Sequence, residues 1–443
     1  MKNIGSALAG LALVASPVPL FAQAPSSAVP RPAVQVDVRA SLAAAIRQQA
    51  RGSIKAFYAK RNYDPIWTDG RLIGADAQVL LHVLDDAKLD GLKPARYRAD
   101  KLRAMIADAD NGDAKDVAKA ELALSEMFAR YVSDVRKVKK TAFEYADPAL
   151  KPEKLGAERI LRVAASTDSF STYMRTMGWM SPLYVHVREA MRAGLAHGAD
   201  SATMTRVIQN RERARLLPPP TVRHIVVDVA SARLWYYQAG NEAGSMKVVV
   251  GAKETPTPLM AGSLNYAILN PYWNIPDYLV TNSIAKKVLS GRTLASMHME
   301  ALSDWSPSAV KLDPKTIDWK AVAENRRAIR IRELPGPHNS MGAVKFLFPN
   351  EHGIYLHDSP NRPLFGKDDR HLSNGCIRLE KAWVLGKWMM GKALAERAKK
   401  AGAEEPMPFA APVPVYLTYI TTLPAKDGVR MLPDVYGIEQ TRR

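Results

Sequence analysis

The sequence predicts an α+β protein in which a helical N-terminal domain is followed by a β-rich domain. Apolar residues recur at spacings of three and four through residues 41–215, which is typical of amphipathic helices. Short apolar runs bounded by turn residues dominate from residue 223 onwards. Between the two patterns stands Leu217-Pro218-Pro219-Pro220, which cannot continue a helix. These observations place a boundary near residue 216 and predict domains at 41–215 and 216–443.

The N-terminus predicts export. Lys2 is followed by an apolar stretch from Ile4 to Ala15 and a small-residue site at Ala22-Gln23-Ala24, so residues 1–24 are expected to be a signal peptide. Residues 25–40 are rich in Ala, Pro and Ser and are expected to be a linker. Pro25 is unfavourable just after a cleavage site, which leaves an uncleaved membrane anchor as the alternative.

The composition is globular and basic. The 443 residues are 47% hydrophobic and 24% charged, with a net charge of +18. Such a surface suits a polyanionic environment, namely nucleic acid, anionic lipid or an acidic wall polymer. Export argues against nucleic acid, and no compact Lys/Arg run with interleaved aromatic residues is present. We therefore expect no nucleic-acid partner.

Within the two domains, the spacing predicts the individual elements. Helices are expected at 75–87, 114–138, 183–195, 202–216 and 381–400. Strands are expected at 223–229, 233–238, 246–250, 264–269, 344–348, 353–357 and 413–420. From 277 to 332 the strand signal lapses into mixed helical and turn segments, which suggests a lid or a passive elaboration.

The most informative residue is Cys376, the only cysteine in the chain, which therefore forms no intramolecular disulfide. A free cysteine is most often a buried, inert side chain. Here it follows Gly375 and lies downstream of a strand that ends at His357. A thiol becomes a good nucleophile beside a base, so this pairing predicts acyl transfer.

Neighbouring residues fit that chemistry. Tyr355 and His357 are two apart on a strand and share a face, although a histidine at a strand end is also commonly structural. Consecutive amides at Gly375 and Cys376 could form an oxyanion hole. Arg378 could bind a carboxylate or lower the pKa of the thiol.

The surrounding sequence resembles the L,D-transpeptidase (YkuD-type) catalytic domain over nearly all of residues 216–443. The resemblance rests on Pro337-His338-Asn339-Ser340-Met341-Gly342, Ile354-Tyr355-Leu356-His357-Asp358, Ser373-Asn374-Gly375-Cys376-Ile377-Arg378, Thr255-Pro256-Thr257-Pro258 and Asn270-Pro271-Tyr272-Trp273-Asn274-Ile275-Pro276. The chain is most similar to the large periplasmic enzymes of Gram-negative bacteria, in which a helical scaffold precedes the catalytic domain. The similarity to that scaffold rests on Tyr58, on Arg61-Asn62-Tyr63 with Pro65 and Trp67, and on Asn210-Arg211-Glu212-Arg213.

The resemblance implies further organisation. A substrate-capping subdomain is expected at about 278–332, inside a β-rich YkuD-like domain. The peptidoglycan-binding module that such enzymes usually carry is expected to be missing, because its pattern is absent between Met180 and Asn210. The implied location is the periplasm.

The resemblance also implies roles. Cys376 would be the nucleophile and His357 the general base. The residues expected to orient the base or form the oxyanion site are Gly375, Asp358, Ser373 and Asn374. Those expected to bind substrate are Tyr355, Arg378, Arg370 and Trp273. Asn374 stands where many members have histidine, so that role is absent or passes to His371. No cofactor and no metal are expected.

The implied reaction is transfer of a peptidoglycan tetrapeptide stem to Cys376 with release of D-alanine, then to the amine of a neighbouring diaminopimelate, giving a 3→3 cross-link. Carbapenem-type β-lactams are expected to acylate the enzyme, and other cell-wall enzymes are expected partners. The alternatives are an L,D-carboxypeptidase, transfer to another amine acceptor such as a lipoprotein, and a non-catalytic wall-binding scaffold.

Overall fold

The computed structural model describes residues 33–69, 72–138, 143–391, 394, 397 and 403–439. The predicted signal peptide lies outside these residues. The linker prediction is wrong at its C-terminal end, because helix α1 spans Ala33–Gln49 and begins inside 25–40. After Pro32 no proline or glycine interrupts the chain until Gly52, so nothing prevents an early helix start. Across the described residues, none of the helices has the length and apolar character needed to span a membrane.

The N-terminal half is helical, as expected. It also contains a two-stranded sheet of β1 (Thr68–Asp69) and β2 (Leu72–Ile73) and a short strand β3 (Glu144–Tyr145). The remaining helices are α2 (Lys55–Lys60), α3 (Asp76–Asp85), α4 (Ala99–Asn111), α5 (Ala114–Val135), α6 (Ala157–Ala165), α7 (Phe170–Arg175), α8 (Pro182–Ala196) and α9 (Ser201–Ala214). Side chains of Asp113, Ser181 and Asp200 cap α5, α8 and α9.

The core of this half is built around a buried carboxylate. Glu121 on α5 is fully buried and accepts hydrogen bonds from the Tyr58 hydroxyl at 2.7 Å and the backbone N–H of Ile66 at 2.7 Å. The Trp67 N–H also donates to it at 3.0 Å, and the Trp67 indole packs edge-on against Phe128. The scaffold-like residues Tyr58 and Trp67 are therefore structural.

The β-rich half begins at β4 and forms one large sheet that closes on itself. Its strands run β12-β13-β15-β6-β5-β4-β16-β7, and β12 pairs with β7 as well. Strand β14 adds to β6, and β3 from the helical half adds to β7. The strands are β4 (His224–Asp228), β5 (Arg233–Gln238), β6 (Asn241–Gly251), β7 (Met260–Leu269), β12 (Val344–Leu347), β13 (Tyr355–His357), β14 (His371–Ser373), β15 (Ile377–Leu379) and β16 (Glu405–Thr418).

The sheet encloses an apolar core. A helix covers this core, and a hairpin joins the sheet domain to the helical half. Helix α13 (Ala382–Met390) buries Leu385 and Met389 against the sheet. The hairpin of β17 (Thr422–Ala425) and β18 (Gly428–Met431) packs on α8. The two halves thus share both a sheet strand and a packed hairpin.

Residues 273–333 form a separate subdomain with its own core, at the predicted capping position. Its four-stranded sheet was not predicted, because each strand has only two to four residues and shows little alternation. The strands are β8 (Trp273–Asn274), β9 (Met299–Leu302), β10 (Lys311–Leu312) and β11 (Arg330–Glu333). The helices are α10 (Asp277–Leu279), a π-helical turn (Val280–Ile284), α11 (Ala285–Leu289) and α12 (Trp319–Ala323), and the core includes Val280, Ile284, Leu294 and Ile331.

Candidate active site

Two adjacent parallel strands bring the predicted reactive residues together. Strand β13 pairs with β15 in a register that sets Leu356 opposite Ile377. Both of these side chains are fully buried in the core. Because side chains alternate along a strand, the neighbouring residues project to the other face. That face carries Tyr355, His357, Cys376 and Arg378, with His357 opposite Arg378 in the register.

The loop before Cys376 is held by hydroxyl groups. The Ser373 hydroxyl donates to the carbonyl of Cys376 at 2.6 Å and accepts from the N–H of Gly375 at 3.2 Å. The Thr257 hydroxyl donates to the carbonyl of Gly375 at 2.7 Å and accepts from the N–H of Gly251 at 2.9 Å. Gly375 adopts φ +108°, a conformation that favours glycine. The turn that presents the thiol is therefore fixed from both sides.

The imidazole of His357 is oriented by the backbone. Its Nδ1 lies 2.6 Å from the carbonyl oxygen of Asp358, which can only accept, so Nδ1 carries the hydrogen and Nε2 is the basic nitrogen. The Asp358 carboxylate accepts from the N–H of Ala343 at 3.1 Å. Gly342 has φ +63°, and a Cβ there would lie 2.5 Å from the Asp358 carboxylate. This close approach explains a glycine in the loop beneath the base.

The electrostatics keep His357 neutral. Burial lowers its pKa to about 3, and the positive charges of Arg378 and Lys345 act in the same direction. The carbonyls of Asp358 and Met341 oppose this shift only in part. At neutral pH the imidazole is therefore unprotonated and can accept a proton.

The thiol of Cys376 is also neutral at rest. Burial raises its pKa, and this outweighs the N–H and hydroxyl of Tyr355 and the charge of Arg378, which favour the thiolate. The Sγ atom lies 3.6 Å from the carbonyl oxygen of Gly353, to which it donates. The resting pair is thus a thiol and an imidazole rather than a thiolate–imidazolium pair.

The hydroxyl of Tyr355 links the nucleophile to the capping subdomain. It lies close to both Cys376 and the indole of Trp273 on β8, and burial holds its pKa well above the usual value. Tyr278 on α10 lies within electrostatic range of Cys376 although it is 46% exposed. Sequence reasoning missed Tyr278, since only its position at the start of the predicted cap could have indicated it.

Arg378 carries its positive charge close to the thiol. Its Nε is buried and has no hydrogen-bond partner among the described residues. Burial lowers the pKa of the guanidinium, whereas Cys376 and Tyr355 raise it. A cation of this kind beside a nucleophile can bind a carboxylate or a developing oxyanion.

Arg370, expected to bind substrate, has a structural position instead. The guanidinium is buried and donates only to backbone carbonyls, because the chain wraps around it before β14. Its acceptors are Val248, Lys367, Asp368, Ser231 and Ala232. Arg370 therefore joins β14 to the core of the sheet through backbone carbonyls.

Three other expectations also need correction. Asn374 is exposed and has no hydrogen bond with the described part of the chain, so it orients nothing in this structure. The N–H of Gly375 is engaged by Ser373, which leaves the N–H of Cys376 as the available oxyanion donor. His371 does not replace the missing histidine, because Asp369 at 2.7 Å and the carbonyl of Val229 at 3.0 Å occupy its two ring nitrogens.

Comparison with known proteins identifies both domains. Residues 52–191 match a scaffold domain model and residues 222–394 match the YkuD L,D-transpeptidase catalytic domain model. A candidate L,D-transpeptidase of Haemophilus influenzae is 27% identical over 400 residues, which covers 88% of this chain and 79% of that protein.

Solved L,D-transpeptidases are similar at lower identity. The enzyme from Mycobacterium smegmatis is 12% identical, with 44% of this chain and 58% of that chain covered and a TM-score of 0.22. Enzyme 3 from Mycobacterium tuberculosis, carrying a faropenem-derived adduct, is 14% identical, with 44% and 59% covered and a TM-score of 0.21. This chain thus spans less than two thirds of each mycobacterial chain.

Together the two matched domains account for most of the described chain, in the order that the fold shows. The chain therefore carries a scaffold domain followed by a YkuD L,D-transpeptidase catalytic domain.

Proposed function

We propose that this protein is a peptidoglycan L,D-transpeptidase that forms 3→3 cross-links through a thioester on Cys376. The observation that carries the proposal is the shared face of β13 and β15, on which Cys376, a neutral histidine and an unpaired arginine lie together. A scaffold that only binds the wall has no need of an oriented, neutral imidazole on the same face as a lone thiol.

The first step transfers the acyl group. His357 Nε2 takes the Sγ proton as sulfur attacks the carbonyl between the L-centre of the third residue and D-alanine, and the electron pair moves to the carbonyl oxygen. The N–H of Cys376 supports the oxyanion, and one such donor typically contributes about 3–4 kcal/mol. The C–N bond then breaks, the imidazolium gives its proton to the leaving amine, and D-alanine departs.

The second step forms the cross-link. The amine of a neighbouring diaminopimelate gives a proton to His357 and attacks the thioester carbonyl, the C–S bond breaks, and sulfur recovers the proton. Because burial raises the pKa of the thiol and lowers that of His357, the resting pair holds few thiolates. Activation is therefore expected to depend on bound substrate.

The same proposal covers location and inhibition. The apolar segment near the N-terminus supports export to the periplasm, where the net charge of +18 suits an acidic wall polymer. A thiol of this kind also supports acylation by carbapenems, in which sulfur attacks the β-lactam carbonyl and the C–N bond of the strained ring breaks.

The test is mass spectrometry of digested peptidoglycan after incubation with the wild type and with Cys376→Ala. We expect 3→3 dimers and free D-alanine from the wild type and neither from the variant. Tripeptide stems without dimers would make the protein an L,D-carboxypeptidase instead. If both proteins leave the digest unchanged while both still bind the wall, the protein is a non-catalytic scaffold.

A further inference from the structure

A cavity of about 340 Å³ lies between the capping subdomain and the large sheet. The cap contributes Arg332 and the exposed indole of Trp305, and the sheet contributes Lys345 of β12. Tyr272 and two carboxylates, Asp304 and Glu404, complete the charged and aromatic lining. None of these residues belongs to the nucleophile, base and arginine described above.

The position of Lys345 ties the cavity to the base. In the register, Lys345 is opposite His357 on one side and opposite Ile268, another lining residue, on the other. Directly opposed residues of antiparallel strands have Cα atoms about 4.5–5.5 Å apart. The strand order β15-β13-β12-β7 therefore puts the cavity on the side of His357 that faces away from Cys376.

The ammonium of Lys345 is poorly paired. Its Nζ lies 3.4 Å from the carbonyl oxygen of Tyr272 and 3.8 Å from the Glu404 carboxylate. Charge-assisted hydrogen bonds are usually about 2.7–2.9 Å long. Glu404 is itself anchored by the N–H of Tyr272 at 3.0 Å, so it does not move closer to Lys345 without losing that bond.

Arg332 supplies a second cation in a fixed orientation. Its Nε and Nη2 bind Glu300 at 2.7 and 2.6 Å, and its guanidinium stacks 3.8 Å above the ring of Tyr272. The remaining nitrogen, Nη1, makes no hydrogen bond within the described chain. Lys345 and Arg332 thus present unused donors to one cavity.

The chemistry of the reaction indicates the ligand. His357 exchanges its proton with an amine, first that of the departing D-alanine and then that of the accepting diaminopimelate. In both molecules the carbon that bears this amine also bears a carboxylate. Building on the function proposed above, we propose that Lys345 and Arg332 bind this α-carboxylate, so that the enzyme selects D-α-amino acid centres on the amine side of the bond.

The experiment measures exchange of isotope-labelled D-alanine into a tetrapeptide stem, compared with labelled D-alaninamide, which lacks the carboxylate. We expect the wild type to prefer D-alanine about tenfold or more, the size of a charge-assisted hydrogen bond. Lys345→Gln should lose this preference, while Lys345→Arg should retain it. Lys320→Gln is the matched control, because Lys320 is an exposed cap lysine with no ion pair within the described chain.

Carbapenem adduct formation separates the possible failures. If Lys345→Gln forms the adduct at the wild-type rate and still prefers D-alanine, or if the wild type shows no preference, the carboxylate site is refuted. If the wild type forms neither adduct nor exchange product, the proposed function itself fails. Arg332→Gln gives an independent reading: it should also lower the preference, and an unchanged ratio would remove Arg332 from the site.

Discussion

Arg370→Met is expected to destabilise the catalytic domain without affecting substrate recognition directly. The substitution keeps an apolar stem of similar length and removes five hydrogen bonds to backbone carbonyls, at 2.8–3.3 Å from the guanidinium. Each bond to a charged donor contributes about 1.5–3 kcal/mol, but such contributions are not additive and water can reach some of the freed carbonyls. We therefore expect a loss of about 3–5 kcal/mol.

Calorimetry provides the measurement. For a domain of this size, about 2–4 °C is lost per kcal/mol, so the unfolding transition of the catalytic domain should fall by roughly 6–20 °C. Arg430→Met is the matched control, because Arg430 is an exposed arginine on β18, and its transition should move by less than about 2 °C. A normal transition for Arg370→Met together with a raised KM for the tetrapeptide would refute the structural role and restore a substrate-binding role.

Three further predictions concern the turn before the thiol, the loop beneath the base and the buried histidines. Thr257→Val removes the hydroxyl that bridges Gly375 and Gly251, and we expect a carbapenem acylation rate at least tenfold lower; an unchanged rate would show that the turn does not need this bridge. Gly342→Ala should reduce acylation far more than Gly198→Ala, because both glycines have φ above +60° but only Gly342 faces Asp358 at 2.5 Å; equal effects would mean that backbone strain alone matters. Burial lowers the pKa of His357 to about 3 and of His224 to about 4, so the unfolded chain binds more protons between these values and about 6.5. Stability should therefore fall as the pH drops from 6.5 to 4, although Asp228, whose pKa is raised to about 6, opposes this trend. His224→Asn should make the urea midpoint depend less steeply on pH, and an unchanged slope would contradict this prediction.

The sequence predicts the long periodic elements well. Helices α3, α5, α8 and α9 and strands β4 and β5 lie where spacing and alternation place them. The short strands of the capping subdomain and the N-terminal part of β16, which contains Pro406 and Pro408, are not predictable in this way. Their pairing is set by partners distant in the chain, such as β7, and not by local pattern.

The candidate site also contains residues that the sequence predicts and residues whose role only the fold reveals. Cys376 and His357 share a face because His357 ends β13 and Cys376 immediately precedes its parallel neighbour β15, which motif and strand pattern together suggest. Arg370 looks identical in sequence to a substrate-binding arginine, and only its five carbonyl partners reveal its structural role. The sequence assigns no role to Lys345, and its register opposite His357 exists only in the folded sheet.

The most direct test of the central claim is the mass of the intact protein after incubation with a carbapenem, followed by peptide mapping. We predict one adduct per chain, located on the peptide that contains Cys376, with none on Cys376→Ala and slow formation on His357→Asn. An adduct elsewhere in the chain, or none on the folded wild type, would contradict the claim that Cys376 is a nucleophile activated by His357.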